Sequence, residues 1–177
     1  FVGRVSRCSY AGAKRRLLCG AADYVYILVS MGSVESEDFV GCLAGNLRAA
    51  SRLATRRYDA SLRENGLRIT QVAILAQVRR QDALSISELA AELSSERSVI
   101  ARDVAVLQRD GLLSVAIDQN DRRARTVSLT KVGRARLRSA GPAWRSAQQQ
   151  MREALGEALA DDVLGVTRAV VAALEDA

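Results

Sequence analysis

The chain lacks histidine entirely and contains few proline, aromatic and cysteine residues. Without histidine it cannot form a Ser-His-Asp triad, a histidine general base or a histidine-ligated metal site. The three cysteines, Cys8, Cys19 and Cys42, follow no metal-binding spacing and are too few for a disulfide scaffold. These absences predict that the protein is not an enzyme, that it holds no metal or cofactor, and that it resides in a reducing cytoplasm.

Residues 1–30 have an unusual composition for the start of a folded domain. They carry five basic residues and one acid, show no helical period, and do not resemble a secretory signal. Their longest apolar run, Tyr24 to Val29, is too short to span a membrane, and we expect no membrane partner. We therefore expect residues 1–35 to be a non-core segment, disordered or outside the native fold. The alternatives are a basic DNA-contacting arm and an organelle-targeting presequence.

The remainder of the chain is rich in Ala, Leu, Val and Arg, which is typical of a helical protein. Apolar residues at helical spacing predict a long first helix from Ser36, its cap, to about Gly66. Thr70 is expected to cap a second helix, and the capping box Ser85 to Glu88 is expected to open a short third helix. Ser94 and Ser95 are expected to break that third helix and to cap the next one.

Two short helices joined by a tight polar turn predict a helix-turn-helix motif. Its second helix is expected to run from Ser95 to Asp110, with Gly111 as its stop signal. Strands at 112–117 and 125–129 are then expected to form a hairpin, or wing, whose loop carries clustered arginines. After its cap at Thr130, a long helix is expected to run toward Gly156 and to be kinked at Pro142, and a terminal helix is expected from Asp161 to Leu174.

Four ordered motifs give the chain a family resemblance. They lie at Leu67 to Leu75, Ile86 to Ala90, Leu107 to Leu112, and Asp121 to Gly133, where the last contains Asp-x-Arg-x-x-x-Val-x-Leu-Thr-x-x-Gly. At this spacing they resemble the MarR family of bacterial transcription regulators. The resemblance covers about residues 36–175. It implies a mainly α, homodimeric, winged helix-turn-helix fold with a small β-hairpin wing.

The resemblance also implies a division of labour along the chain. The winged helix-turn-helix would occupy about residues 67–130, and dimerisation helices about residues 36–64 and 131–175. A two-fold dimer would bind double-stranded DNA at a pseudo-palindromic operator whose half-sites lie about one helical turn apart. The protein is expected to act as a repressor that a small-molecule effector releases. The alternatives are a redox-sensing regulator that acts through Cys42, and a winged-helix module that binds protein.

Candidate DNA contacts lie on the second helix of the motif and on the wing. Arginines there can hold guanine or phosphate, and serines near a helix N-terminus can bond phosphate. Arg123 is the residue that the resemblance places in the minor groove, with Arg122 and Arg125 as supporting charges. The full set of candidates is Ser95, Arg97, Ser98, Arg102, Arg122, Arg123 and Arg125.

Candidate regulatory residues are fewer and rest on the resemblance. The candidates for lining an effector pocket are Arg48, Gln71, Ile74 and Trp144. The alternative for Trp144, a core or interface aromatic, is the one that we favour. Cys42 lies near the start of the first helix, a position that can make a thiol reactive. Its alternative role is that of an inert small apolar side chain.

Overall fold

The computed structural model describes residues 41–117 and 125–175. The chain divides after Ser51 into two units, and the hydrophobic core lies in the second. The predicted cap Ser36 and the predicted boundary at residue 35 lie outside the described residues. None of the helices in the described ranges has the length and apolar character that a membrane crossing requires.

Seven helical segments and three strands follow one another along the described chain. In order they are α1 (Leu43–Leu62), a 3-10 turn (Arg63–Asn65), α2 (Ile69–Gln81), β1 (Ala83–Ser85), α3 (Ile86–Glu92), α4 (Arg97–Arg109), β2 (Leu113–Ile117), β3 (Arg125–Leu129), α5 (Lys131–Leu155) and α6 (Glu157–Glu175). The mainly helical class with a small hairpin is confirmed. The end of the first helix is also as predicted, because Gly66 adopts φ 66°, which is the left-handed conformation that stops a helix.

The sheet has the order β1-β3-β2, with both pairings antiparallel. Strand β3 is central, and its Val127 is fully buried between Leu84 on one side and Val115 on the other. The sequence did not predict β1, because three residues are too few to show an alternating pattern. The strand forms because the open edge of β3 offers backbone partners.

The core of the second unit is built from leucine, isoleucine and valine side chains. Each element contributes the apolar face that its sequence period predicts. The fully buried large side chains are Leu62, Ile74, Leu75, Val78, Leu89, Val104, Leu107, Leu113 and Val127. No buried polar or charged residue is found among the described residues, so the core is held by apolar packing.

The second helix begins differently from the prediction. Helix α2 already begins at Ile69, so Thr70 lies inside its first turn and does not cap it. The cause is a distant side chain: Asp59 on α1 accepts a hydrogen bond from the Ile69 N–H at 2.7 Å. Gln71 accepts a second one from the Arg68 N–H at 2.9 Å. These acceptors satisfy the helix start without the threonine.

The long helix α5 begins as predicted and continues without interruption through Pro142. Gly156, at φ 78°, separates it from α6. The last helix starts at Glu157, four residues before its predicted start at Asp161. Arg152 joins the two helices, since its guanidinium contacts the carboxylates of Glu157 and, at 2.8 Å, Asp161.

Candidate nucleic-acid interface

Helix α4 presents one apolar face and one basic face. Ile100, Val104 and Leu107 are buried in the core. On the opposite side Ser98, Arg102 and Arg109 recur at spacings of four and seven residues, and all three are exposed. Because an exposed stripe of this kind can lie in a DNA groove, we call α4 the reading helix. The predicted contacts do not include Arg109, although the helical spacing from Arg102 could have found it.

Arg97 begins the reading helix and is also exposed. Within the described ranges, neither Arg97 nor Arg102 forms an ion pair with a carboxylate. Glu96 precedes Arg97 as the N-cap residue, and its side chain makes no capping hydrogen bond. The arginine donors at this end of the helix are therefore available to an external anion.

The predicted start of this helix at Ser95 is wrong. Helix α3 ends in a Schellman arrangement, in which Ser95 N–H donates to Ala90 O at 2.9 Å and Ser94 N–H to Ala91 O at 3.0 Å. Ser94 occupies the position that usually holds glycine, with φ 44°. The two serines therefore break α3, as predicted, but their backbones complete it and do not cap α4. Ser95 is half-buried in this turn.

The wing is formed by β2 and β3, whose predicted bounds at Ile117 and at Arg125 to Leu129 are confirmed. Arg125 opens β3, is exposed, and lies opposite Ile117 in the register. The loop that joins the strands, residues 118–124, lies outside the described residues. It contains the candidate contacts Arg122 and Arg123, which stay predictions.

The base of the wing is joined to the end of the reading helix at one corner. The Thr130 hydroxyl donates to Gly111 O at 2.7 Å and accepts from Gly133 N–H at 2.9 Å. The backbone N–H of Thr130 donates to Leu112 O at 3.2 Å. Gly111 ends the reading helix with φ 72°, as predicted. One threonine thus fixes the strand, the helix end and the start of α5 together.

Helix α3 is held at both ends by carboxylates. At its start the capping box is confirmed: Ser85 Oγ accepts from Glu88 N–H at 3.1 Å, and Glu88 accepts from Ser85 N–H at 2.7 Å. At its end Glu92 accepts from three side chains of α2 at 2.5–2.9 Å: Gln77, Arg80 and Gln81. A carboxylate is disfavoured at a helix C-terminus, so these donors are what keep Glu92 in place.

The candidate effector residues have different environments. Ile74 is 1% exposed and belongs to the core, so it offers no surface to a ligand in this conformation. Gln71 is half-buried and engaged with Arg68 N–H, Trp144 is 39% exposed on α5, and Arg48 is exposed on the part of α1 in the first unit. Their role as a pocket stays a prediction.

Cys42 is a free, half-buried thiol one residue before α1. Its sulfur accepts a hydrogen bond from Gly45 N–H at 3.4 Å, and its carbonyl accepts from the Asn46 side chain at 2.9 Å. The described ranges hold no group of three or more Cys, Asp or Glu side chains placed for a metal ion.

A basic reading helix beside a two-stranded wing defines the winged helix-turn-helix class of nucleic-acid-binding proteins. Known proteins agree with this class. Residues 67–124 match the model of the MarR family. The DNA complex of the M. tuberculosis transcriptional regulator MosR is 34% identical, with a TM-score of 0.64, over 75% of this chain and 98% of that one. The chain belongs to the MarR family of transcription regulators.

Two further proteins are similar to this chain. The transcriptional activatory protein BadR of Rhodopseudomonas palustris is 32% identical over 114 residues, or 62% of this chain. The match spans 59% of the length of BadR. The structure of Bordetella bronchiseptica BpsR, whose DNA binding is regulated by 6-hydroxynicotinic acid, shares the fold with a TM-score of 0.68 and 22% identity. The structural match covers 75% of this chain and 95% of BpsR.

Proposed function

We propose that the protein is a dimeric regulator of transcription that binds double-stranded DNA through α4 and the wing. The observation that carries this proposal is the exposed basic surface of α4, where Arg97 and Arg102 have no carboxylate partner among the described residues. Arg102 would contact base edges or phosphate, and Ser98 and Arg97 would contact phosphate near the helix start. Arg125 would add a phosphate contact beside the wing loop.

The surface of α6 supports dimerisation. Ala160 is its buried residue within the described range, whereas its large apolar side chains are nearly all more than a third exposed. These exposed side chains are Leu159, Val163, Leu164, Val166, Val171 and Leu174. An apolar surface of this kind requires a partner, and the simplest partner is α6 of a second copy. Two copies would present two reading helices to a pseudo-palindromic site.

The mode of regulation is the second part of the proposal. Repression with release by a small-molecule effector is typical of the MarR family, and we propose it here. The relative BadR is named as an activatory protein, so the sign of regulation requires a direct test. The test is in vitro transcription from the promoter next to the gene that encodes this protein. Adding the protein should decrease the number of transcripts if it is a repressor and increase it if it is an activator. Because the protein must reach DNA, we place it in the cytoplasm.

The test of DNA binding uses a duplex selected from a random pool and fluorescence anisotropy at several salt concentrations. The selected site should be a pseudo-palindrome with half-sites about 10 bp apart. Arg102→Ala should weaken binding by about tenfold. It should also make the fall of the log association constant with log salt concentration less steep, by about one unit of slope. The control is Arg168→Ala, an exposed arginine on α6 that belongs to neither the reading helix nor the wing, and it should change neither quantity.

The same experiment separates the proposal from the alternative of a protein-binding module. A protein that binds DNA through phosphates releases counterions, so its affinity must fall as salt rises. If no duplex is selected, or if affinity is independent of both salt and Arg102, the DNA-binding proposal is wrong.

A further inference from the structure

The last helix ends against the turn of the helix-turn-helix motif. The hydroxyl of Ser94, in the turn between α3 and α4, donates a hydrogen bond to the carboxylate of Glu175, the final residue of α6. The two side chains border an open cavity of about 580 Å³ at this turn. Its lining is Ala90, Ala91, Ser94, Ser95, Glu96 and Glu175. An acidic side chain from the far end of the chain is thus part of the surface that leads into the reading helix.

This turn is a favourable place for an anion. Helix α4 begins directly after this turn, and its first backbone N–H groups receive no side-chain cap from Glu96. The helix dipole adds positive potential there, and Arg97 adds a full charge. A DNA phosphate bound at the start of the reading helix would use the same hydroxyl donor and the same field. The carboxylate of Glu175 has the charge and the acceptor oxygens that a phosphate would bring.

Helix α6 is attached to the rest of the described chain mainly by polar groups at its two ends. At its start the helix is fixed by Arg152, which bridges to Glu157 and Asp161. Along its described length Ala160 is buried and Val170 half-buried, while the other side chains are exposed. Because Glu175 is itself exposed, its contact with Ser94 is a solvent-accessible one that an external anion can replace.

We propose that Glu175 is an autoinhibitory group that occupies a phosphate position of the DNA-binding surface and must leave it when DNA binds. This inference rests on the proposed function, since it assumes that the turn before α4 faces DNA. It goes beyond that function by assigning the end of α6 a direct effect on affinity. The bound carboxylate weakens binding to every sequence alike, because it competes with a phosphate and not with a base.

The experiment compares Glu175→Gln with a matched control, Asp162→Asn. Both variants remove one negative charge from an exposed position on α6 while keeping a side chain of the same size. Anisotropy is measured with a labelled duplex of mixed sequence, about three helical turns long, at low and high salt. Glu175→Gln should tighten binding by about two- to fivefold at low salt, and the gain should shrink as salt rises. Asp162→Asn should give a smaller gain, because that residue does not contact the turn.

The outcomes separate this inference from the proposed function. If the wild-type protein binds the duplex in a salt-dependent way and the two variants gain equally, general charge explains the effect and the inference is wrong. An unchanged affinity in Glu175→Gln would contradict the inference as well. If the wild type shows no salt-dependent binding, the proposed function fails, and the inference fails with it. A gain specific to Glu175→Gln, with the same ratio on the selected operator duplex, supports competition with phosphate.

Discussion

Gly133 is the position where one added methyl group meets the backbone at the end of the reading helix. A Cβ atom built on Gly133 would lie 2.0 Å from Leu112 O, 2.9 Å from Leu112 C and 3.0 Å from a methyl group of Leu129. Real Cβ atoms essentially never approach within 3.0 Å, so Gly133→Ala must open a gap of about 1 Å. The obstructing atom belongs to the backbone and cannot rotate away.

The energetic cost follows from the groups that must move. Overpacking a tight site costs about 1–3 kcal/mol. Leu112 O also accepts a hydrogen bond from the Thr130 N–H at 3.2 Å, and the shift weakens it. Its loss adds about 1 kcal/mol. Alanine regains up to about 1 kcal/mol as a better helix former. We therefore expect Gly133→Ala to lower the free energy of unfolding by about 1–3 kcal/mol, a sizeable part of a typical total of about 5–15 kcal/mol.

Urea denaturation followed by circular dichroism measures this change. The control is Gly165→Ala in α6, where an added Cβ meets no atom within 4 Å. That control should raise stability by up to about 1 kcal/mol through helix propensity alone. If Gly133→Ala is as stable as Gly165→Ala, the close contact with Leu112 O does not exist and the argument for the corner fails. At temperatures where Gly133→Ala remains folded, it should also bind DNA more weakly, since the end of the reading helix is displaced.

Two further predictions concern a helix cap and a half-buried hydroxyl. Ser85→Ala removes the acceptor for Glu88 N–H and should lower the unfolding free energy by about 0.5–2 kcal/mol; an unchanged urea midpoint would contradict the capping role. Burial raises the pKa of Tyr58 above its ordinary value of 10.0, so its neutral form is favoured in the native state, where it donates to Gln148. Its contribution is therefore intact below the pKa of the unfolded chain and is lost as pH rises above about 10. Tyr58→Phe should flatten the fall of the urea midpoint in that range, and a parallel fall in both proteins would contradict this assignment.

Local patterns predicted much of the fold because their partners lie close in sequence. The capping box from Ser85 to Glu88, the stop at Gly111 and the cap at Thr130 each depend on groups within a few residues. The bounds of β3 were equally readable from its alternation. The order of the elements followed from the same local patterns.

The errors lie where a distant group replaces a local one, or where a residue completes one helix and does not cap the next. The start of α2 depends on Asp59, ten residues before Ile69, and no pattern within the helix indicates it. Ser95 does not cap α4 as predicted, because its N–H completes the end of α3. The carboxylate of Glu92 bridges two helices through donors that become neighbours only after folding. Helical spacing therefore predicts which face is buried, but it does not predict which polar groups meet across elements.

The candidate site also contains residues whose environment could be predicted from the sequence and residues whose environment could not. The exposure of Arg102 could be predicted, because the apolar period of α4 fixes the opposite face. The burial of Ile74 could not, since an apolar side chain on a helix can serve either a core or a pocket. The contact of Glu175 with Ser94 had no signal in the sequence, because 81 residues separate the two groups.

The corner at Thr130 limits the ways in which the regulator can be switched. Since one hydroxyl ties the end of the reading helix to the strand that leads out of the wing, each DNA-binding head is expected to move as a single piece. A signal would then act on the distance and angle between two heads and leave the shape of each one unchanged. In the proposed dimer, an inducer that weakens binding to the native operator should therefore leave each half-site preference intact. An operator with a lengthened or shortened spacer would then bind the induced form better than the native operator does.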